Sequence, residues 1–233
     1  MFIFLLPLKH PDSCNNWQRV CQLLEGTLRS ILSQSSDNFK IVVVCNQKPV
    51  VGIESDKVIY AIADLPQPST ENGEHDKALK LIFGFDCAKR YDPDYVMALD
   101  PDDFISSNIV DYALTEKQPL GYFLNSGYIF EGDATLISIS EGFYHYCGTS
   151  LVVRPDAFAG LVRGDRYCHY QIQLNEGRLS PIPFPAAIYN RLNGENFVAK
   201  NKLSRPLGNK NLRFVTIPIS EQIRQEFTFG EIA

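Results

Sequence analysis

Tyr95-Val96-Met97-Ala98-Leu99-Asp100-Pro101-Asp102-Asp103 runs from a wholly apolar stretch straight into three carboxylates within four residues. The apolar part reads as a strand buried on both faces, the kind found inside a parallel sheet. In open α/β sheets ligands bind beyond the carboxyl ends of the strands, which is where the acidic turn falls. Carboxylates that close together repel one another unless hydrogen bonds or a cation compensate them. A hard divalent ion such as Mg²⁺ or Mn²⁺, sharing carboxylate and phosphate oxygens, would do so. The plainer alternative is a solvated turn in which Asp102 caps a following helix.

The residues before this stretch alternate between strand and helix patterns. Phe2–Leu6 is an uninterrupted apolar run. Trp17, Val20, Cys21, Leu24, Leu28, Ile31 and Leu32 recur at helical spacing after a possible cap at Asn15 or Asn16. Lys40–Cys45 and Lys57–Ile62 read as two more strands. The segment 64–74 is rich in Pro, Ser, Thr, Asn and Gly and reads as a loop, and His75 to Arg90 as a helix. That order predicts a mainly parallel sheet, with Phe2–Leu6, Lys40–Cys45, Lys57–Ile62 and Tyr95–Leu99 as neighbouring strands and helices on its faces.

After Ser106 the alternation loosens. Ser107–Thr115 reads as a short helix, Tyr122–Phe130 and Thr135–Ile139 as antiparallel strands joined at Gly132-Asp133, Thr149–Val153 as a strand and Pro155–Leu161 as a helix start. Ile182–Ala187 is a Pro-interrupted extended segment, and apolar anchors are few from Asn190 until Phe214–Ile219. The expectation is a single α/β domain of 233 residues whose irregular second half shares the sheet of the first.

Composition narrows the function. Hydrophobic residues make up 45% of the chain, enough for a sizeable core. The formal charge of −5, with no basic cluster, argues against a nucleic-acid partner but leaves small anionic ligands open. Met1–Leu8 lacks the flanks of a signal peptide and is too short to span a membrane. The six cysteines form no CxxC pair and sit largely in apolar stretches, which reads as reduced core cysteine in a cytoplasmic protein.

With these residues in view, the chain resembles the GT-A glycosyltransferases, within them the family-2-like branch and the rhamnosyltransferase group. The likeness rests on Phe2–Leu6, on Trp17–Leu32, on Leu28-Arg29-Ser30-Ile31-Leu32-Ser33-Gln34 leading to Asn38-Phe39-Lys40-Ile41-Val42-Val43-Val44, and on Tyr95 to Asp103. It covers about residues 1–110. Cys147-Gly148-Thr149-Ser150-Leu151-Val152-Val153-Arg154 is similar to a later strand of the family. The resemblance implies a nucleotide-sugar-binding half over residues 1–105 and an acceptor half with a C-terminal extension over 106–233.

It further implies a metal-dependent, hexosyl-type transfer from a nucleotide-sugar to a glycan or lipid-linked acceptor, with inversion, and leaves peripheral membrane contact open. Asp100 would face the donor's ribose, Asp102 and Asp100 would hold Mn²⁺ or Mg²⁺ on its diphosphate, and Asp103 would support them. Lys77 would lie near the phosphates, Asn46 near the base, and Pro7 at the end of the first strand beside the donor. A lysine near a helix start is otherwise an ordinary solvated residue.

Two features depart from the family pattern. Cys45-Asn46-Gln47 follows the second strand where many relatives carry an acidic residue that reads the base. In the acceptor half, Gly164-Asp165-Arg166-Tyr167-Cys168-His169-Tyr170 stands where an acidic pair commonly supplies the base. Asp165 is then the expected base, with His169 as its neighbour or as a further metal ligand, four residues on and on the same face if the segment is helical. A histidine bonded to backbone is the bland reading of His169. Tyr189-Asn190-Arg191-Leu192-Asn193-Gly194-Glu195-Asn196 reads either as a sugar-site lining or as a surface turn, and Tyr122, Tyr128, Tyr144, Tyr146, Tyr167 and Tyr170 as packing or sugar-facing rings.

Leu6-Pro7-Leu8-Lys9-His10 has no glycine, against a nucleotidyltransferase, and the Asp cluster lies mid-chain, against an Asp-nucleophile phosphatase. A non-catalytic nucleotide- or sugar-binding protein that keeps the fold is the alternative of a different class.

Overall fold

The computed structural model describes residues 1–66, 73–163, 166–168, 179–196 and 214–230. Strand β1 (Phe2–Pro7) lies inside the sheet, and its alternating side chains serve two cores, as the pleat requires. Phe2, Phe4 and Leu6 face one buried cluster, Ile3 and Leu5 the other. Helix α1 (Trp17–Leu32) covers the first with Val20, Leu24, Leu28 and Ile31. Its start is fixed by Asn16, whose side chain accepts the Arg19 N–H at 3.1 Å. Helix α2 (Gly73–Ala88) covers the second with Leu81, Phe85 and Ala88. It lies so close to the sheet at Gly84 that a Cβ there would sit 2.6 Å from Val44 Cγ2.

Beside β1 run β2 (Phe39–Cys45), β3 (Val58–Ile62) and β4 (Tyr95–Ala98), in the order β4-β1-β2-β3 and all parallel. The expected four-strand core is therefore present, with a helix on each face. β5 (Phe104–Ile105) then leaves this sheet, and α3 (Ile109–Glu116) follows.

The second half departs from the one-sheet expectation. β6 (Gly121–Phe123), β9 (Leu151–Val153) and β12 (Ser180–Pro181) extend the main sheet beyond β4, with β9 antiparallel to both its neighbours. β7 (Gly127–Phe130), β8 (Thr135–Ile139), β13 (Ala187–Asn190) and β14 (Phe214–Pro218) build a separate sheet, ordered β14-β8-β7-β13-β5.

The single strand expected over Tyr122–Phe130 is thus two, one in each sheet. Asn125 holds the break: its carbonyl accepts the Phe143 N–H at 3.0 Å and its side chain the Gly142 N–H at 3.0 Å. The strand expected at Ile182–Ala187 forms instead at Ala187–Asn190, past Pro183 and Pro185, which lack the N–H a ladder needs.

On the α2 side of the main sheet lie α4 (Pro155–Ala159), against β4, and a short hairpin of β10 (Val162–Arg163) with β11 (Arg166–Tyr167), against α2. Helix α5 (Glu221–Phe227) packs Ile223 and Phe227 with Phe104, Leu136, Ile188 and Phe229 against the second sheet. All six cysteines are free, and no helix among the described residues is long and apolar enough to cross a membrane.

Candidate functional site

The acidic turn sits where the chain passes from one sheet to the other. β4 ends at Ala98 in the main sheet, β5 begins at Phe104 in the second, and the Asp103 N–H closes the turn on the Asp100 carbonyl at 3.0 Å. The following helix starts nine residues after Pro101's predecessor in the chain, at Ile109 with Asn108 in the cap position, so Asp102 caps nothing.

Each aspartate has its own environment. Asp103 is 0% exposed, and its carboxylate accepts the Thr149 hydroxyl at 2.6 Å, the Cys147 thiol at 3.2 Å and the Asn190 N–H at 3.0 Å. Burial, then the charges of Asp102 and Asp100, push its pKa well up, while the Thr149 and Asn190 bonds pull against that. Thr149 Oγ1 also accepts the Asp100 N–H at 2.9 Å, so one hydroxyl ties two members of the turn together. Asp103 thus sits behind Asp100 and Asp102, bonded within the protein rather than lining the cleft.

Asp102 is half-buried. Its Oδ2 accepts Asn193 Nδ2 at 2.8 Å and Asn196 Nδ2 at 2.9 Å. Burial and the neighbouring Asp100 charge push its pKa up to about 6. Asp100 forms an ion pair with Lys77. Burial disfavours the Lys77 ammonium, but the facing Asp100 carboxylate and its hydrogen bond outweigh this and the net shift is upward. Lys77 lies a full turn inside α2, which begins at Gly73, rather than opening it. Gly148 lets the pair lie against the backbone, since a Cβ there would be 2.9 Å from both Asp100 Oδ2 and Lys77 Nζ.

These groups line one cleft of about 250 Å³. Pro7 and Lys9 come from the end of β1, Val20 and Leu23 from α1, Asp76 and Lys77 from α2, and Tyr146, Tyr167 and Tyr189 from the second half. Glu195, 7% exposed, also lines it. Glu195 accepts Lys9 Nζ at 3.1 Å, the Asn15 N–H at 3.1 Å and the Asn16 N–H at 2.8 Å. The stretch 190–196 therefore clasps the loop after β1 through Glu195 and the acidic turn through Asn193 and Asn196. It is a wall of the site, not a free surface turn.

The sequence expectations divide as follows. Asp100, Asp102, Lys77 and Pro7 come together on the cleft. Asn46 does not line it; its Nδ2 reaches the Leu65 carbonyl at 3.1 Å and that of Ala63 at 3.4 Å, which fastens the loop after β3. Asp165 and His169 lie outside the described residues, as does Tyr170. Among the tyrosines, Tyr146 and Tyr167 line the cleft, whereas Tyr122 is core and Tyr128 packs edge-on against Phe227.

Several site residues were not anticipated: Lys9, Asp76, Cys147 and Thr149. Asp76 and Lys80 form a buried pair one turn apart on α2 at 2.8 Å, and Lys80 Nζ also donates to the Leu8 carbonyl at 2.6 Å. Burial lowers the Lys80 pKa, against the opposing pull of Asp76. The other carboxylate oxygen of Asp76 is buried with no hydrogen-bond partner among the described residues, an arrangement that costs about 1–3 kcal/mol.

Among the described residues no group of three or more His, Cys, Asp or Glu side chains is placed to hold a metal ion. Asp100 and Asp102 nevertheless fit a hard cation in the way Mg²⁺ is commonly held, by one or two carboxylates with phosphate and water oxygens completing the shell. Burial first and the Asp100 charge second raise the Asp102 pKa, and a bound cation would oppose both.

Fold and cleft together define a mixed α/β protein with a mostly parallel central sheet and a polar, acid-lined site at its carboxyl edge. No family model matches the chain, and no curated protein matches it. Solved structures do. S. aureus TarS 1–349 in complex with UDP-GlcNAc is similar with a TM-score of 0.55 and 14% identity, over 85% of this chain and 62% of that one. The same protein in complex with UDP gives 0.51 and 13%, over 81% and 60%. The fold is thus similar to that of TarS, and this chain spans about three-fifths of the TarS chain it matches.

Proposed function

We propose that this protein transfers a sugar from a nucleotide-sugar to a glycan or lipid-linked acceptor. The observation that carries the reading is the convergence of Asp100, Asp102 and Lys77 on one cleft at the carboxyl edge of the sheet. TarS, whose fold it shares, binds UDP and UDP-GlcNAc, which supports a nucleotide-sugar as ligand. The family-2-like and rhamnosyl assignments rest on the sequence resemblance alone.

In this reading Asp100 meets the donor's ribose and Asp102, with Asp100, holds Mn²⁺ or Mg²⁺. When bound there, such an ion would supply positive charge against that developing on the departing nucleoside diphosphate. Lys77 places a fixed ammonium beside the same phosphates, oriented by Asp100. The acceptor hydroxyl attacks the anomeric carbon as the bond to the diphosphate breaks, with inversion, and its proton passes to a base. Asp165 is assigned as that base, with His169 beside it or on the metal, in the segment that adjoins cleft-lining Tyr167. The tyrosine faces offer the apolar surface a sugar ring stacks on.

Release of nucleoside diphosphate from a panel of nucleotide-sugars, with and without Mn²⁺, tests this. Metal-dependent release with one donor is expected, and Asp165→Asn should abolish it while leaving donor binding intact. Tight nucleotide binding with no release under any condition would favour the non-catalytic alternative.

A further inference from the structure

We infer that Asn193 and Asn196 set which cation the acidic turn accepts: by filling one oxygen of Asp102 they leave the turn able to offer single carboxylate oxygens only, which suits Mg²⁺ or Mn²⁺ and disfavours Ca²⁺. The inference deepens the nucleotide-sugar reading above and rests on it. Both asparagines are positioning residues, since they act through Asp102.

A carboxylate oxygen has two lone pairs. Both lone pairs of Asp102 Oδ2 are taken, by Asn193 Nδ2 at 2.8 Å and Asn196 Nδ2 at 2.9 Å. The amides cannot turn round. Asn193 Oδ1 accepts the Glu195 N–H at 3.0 Å, and Asn196 Oδ1 accepts the Asn193 N–H at 3.1 Å. The second N–H of each amide is also placed, on the Asn190 carbonyl, at 3.0 Å and 3.2 Å. A flipped amide would set oxygen against oxygen at Asp102 and at Asn190, and would strip the backbone N–H groups of their acceptors. The two side chains meet on one atom because the backbone coils between them, with a φ of 62° at Leu192 and 92° at Gly194.

Asp100 is treated alike on a smaller scale, because Lys77 Nζ donates to its Oδ1. Among the described residues no side chain donates to Asp102 Oδ1 or Asp100 Oδ2, and neither atom is sealed from solvent as the unpaired Asp76 oxygen is. Both aspartates line the cleft. The turn therefore presents one oxygen from each of two carboxylates. Mg²⁺ takes a near-octahedral shell in which a carboxylate gives one oxygen and water or phosphate completes the set, and Mn²⁺ favours the same shell. Ca²⁺ collects about six to eight oxygens and commonly draws both from one carboxylate. Here that second oxygen is spoken for by donors locked into the clasp.

Titration calorimetry of Mn²⁺, Mg²⁺ and Ca²⁺ into the whole chain, with and without UDP, tests this on the wild type, Asn196→Ala and the double variant Asn193→Ala/Asn196→Ala. The wild type should bind Mn²⁺ and Mg²⁺ at least about tenfold tighter than Ca²⁺, and the double variant should lose most of that ratio, with Asn196→Ala between them, on the scale by which outer partners tune metal ligands. Loosening of the clasp alone would weaken all three ions together and leave the ratio in place. Glu195→Gln, which disturbs the clasp without touching either amide, should do that and no more. Equal wild-type affinity for Ca²⁺ and Mg²⁺, an unchanged ratio in the double variant, or an equal change of ratio in Glu195→Gln overturns the inference and leaves the nucleotide-sugar reading standing. Absence of cation binding by the wild type in both conditions overturns the inference together with the metal-dependent part of that reading, while nucleotide binding without metal would keep the rest of it.

Discussion

Lys77 and Asp100 form an ion pair that packs against a glycine: both charged groups come within 2.9 Å of where a side chain at Gly148 would begin. The pair joins α2 to the acidic turn across the mouth of the cleft, and it occupies the only space that a methyl group at residue 148 could take. Gly148→Ala should therefore separate Lys77 from Asp100. Calorimetry should show nucleoside diphosphate affinity reduced about tenfold, the scale of one charge-assisted contact, with an unchanged far-ultraviolet circular dichroism spectrum.

Asp102 gives a pH dependence with a definite sign. Its folded-state pKa of about 6 lies above the ordinary value of 3.8, so between those values the native chain binds more protons than the unfolded one. The contribution of this group to stability is then full at low pH and is lost as pH rises through about 6. Asp102→Asn removes the charge and keeps an acceptor for Asn193 and Asn196. Its melting temperature should exceed that of the wild type at pH 7.5 by a few degrees, for roughly 1 kcal/mol, and the difference should close towards pH 4. The same variant should lose metal-dependent nucleotide binding at pH 7.5.

Much of this was legible in the sequence, and the limits have physical causes. Phe2–Leu6, Lys40–Cys45 and Tyr95–Leu99 are buried on both faces, so their apolar runs are unbroken and easily seen. Asp100 and Asp102 stood out because three carboxylates follow such a run. The second half is harder, because its strands are short, are shared between two sheets and are joined antiparallel or parallel without a helical crossover to mark them. Thr149 and Asp76 escaped notice for another reason: a single polar residue has no pattern, and each acquires its role only from partners far along the chain or one turn away. For Asp76 a signal existed, since Asp76 and Lys80 stand four apart on a predicted helix, yet that spacing is more often a solvated pair.

Thr149 makes two buried hydrogen bonds, donating to Asp103 and accepting from the Asp100 N–H. Thr149→Val keeps the shape and removes both. Urea denaturation should show a loss of about 1–3 kcal/mol, the cost of leaving buried polar groups unmatched. A loss well below that range would mean that the turn finds other partners.

Lys80 satisfies the Leu8 carbonyl and one oxygen of Asp76 from a fully buried position. Lys80→Met leaves a buried carboxylate uncompensated, and should cost about 3–5 kcal/mol by chemical denaturation. Adding Asp76→Asn to that variant should recover part of the loss, because a neutral amide is cheaper to bury than an unpaired charge.

The clasp formed by residues 190–196 also fixes when the site comes into being. Asn193 meets Asp102 across 91 residues of sequence, Asn190 meets Asp103 across 87, and Glu195 meets Lys9 across 186. A chain emerging from the ribosome can lay down β1, β2, β3 and β4 and pair Lys77 with Asp100 long before those partners exist. Until residue 196 has been made, Asp102 lacks its two amide donors, although Asp100 can already pair with Lys77 and Asp103 with Thr149. The cleft is thus completed by one of the later segments to be translated, and a truncation before Asn190 should yield a folded first half with an unfinished pocket.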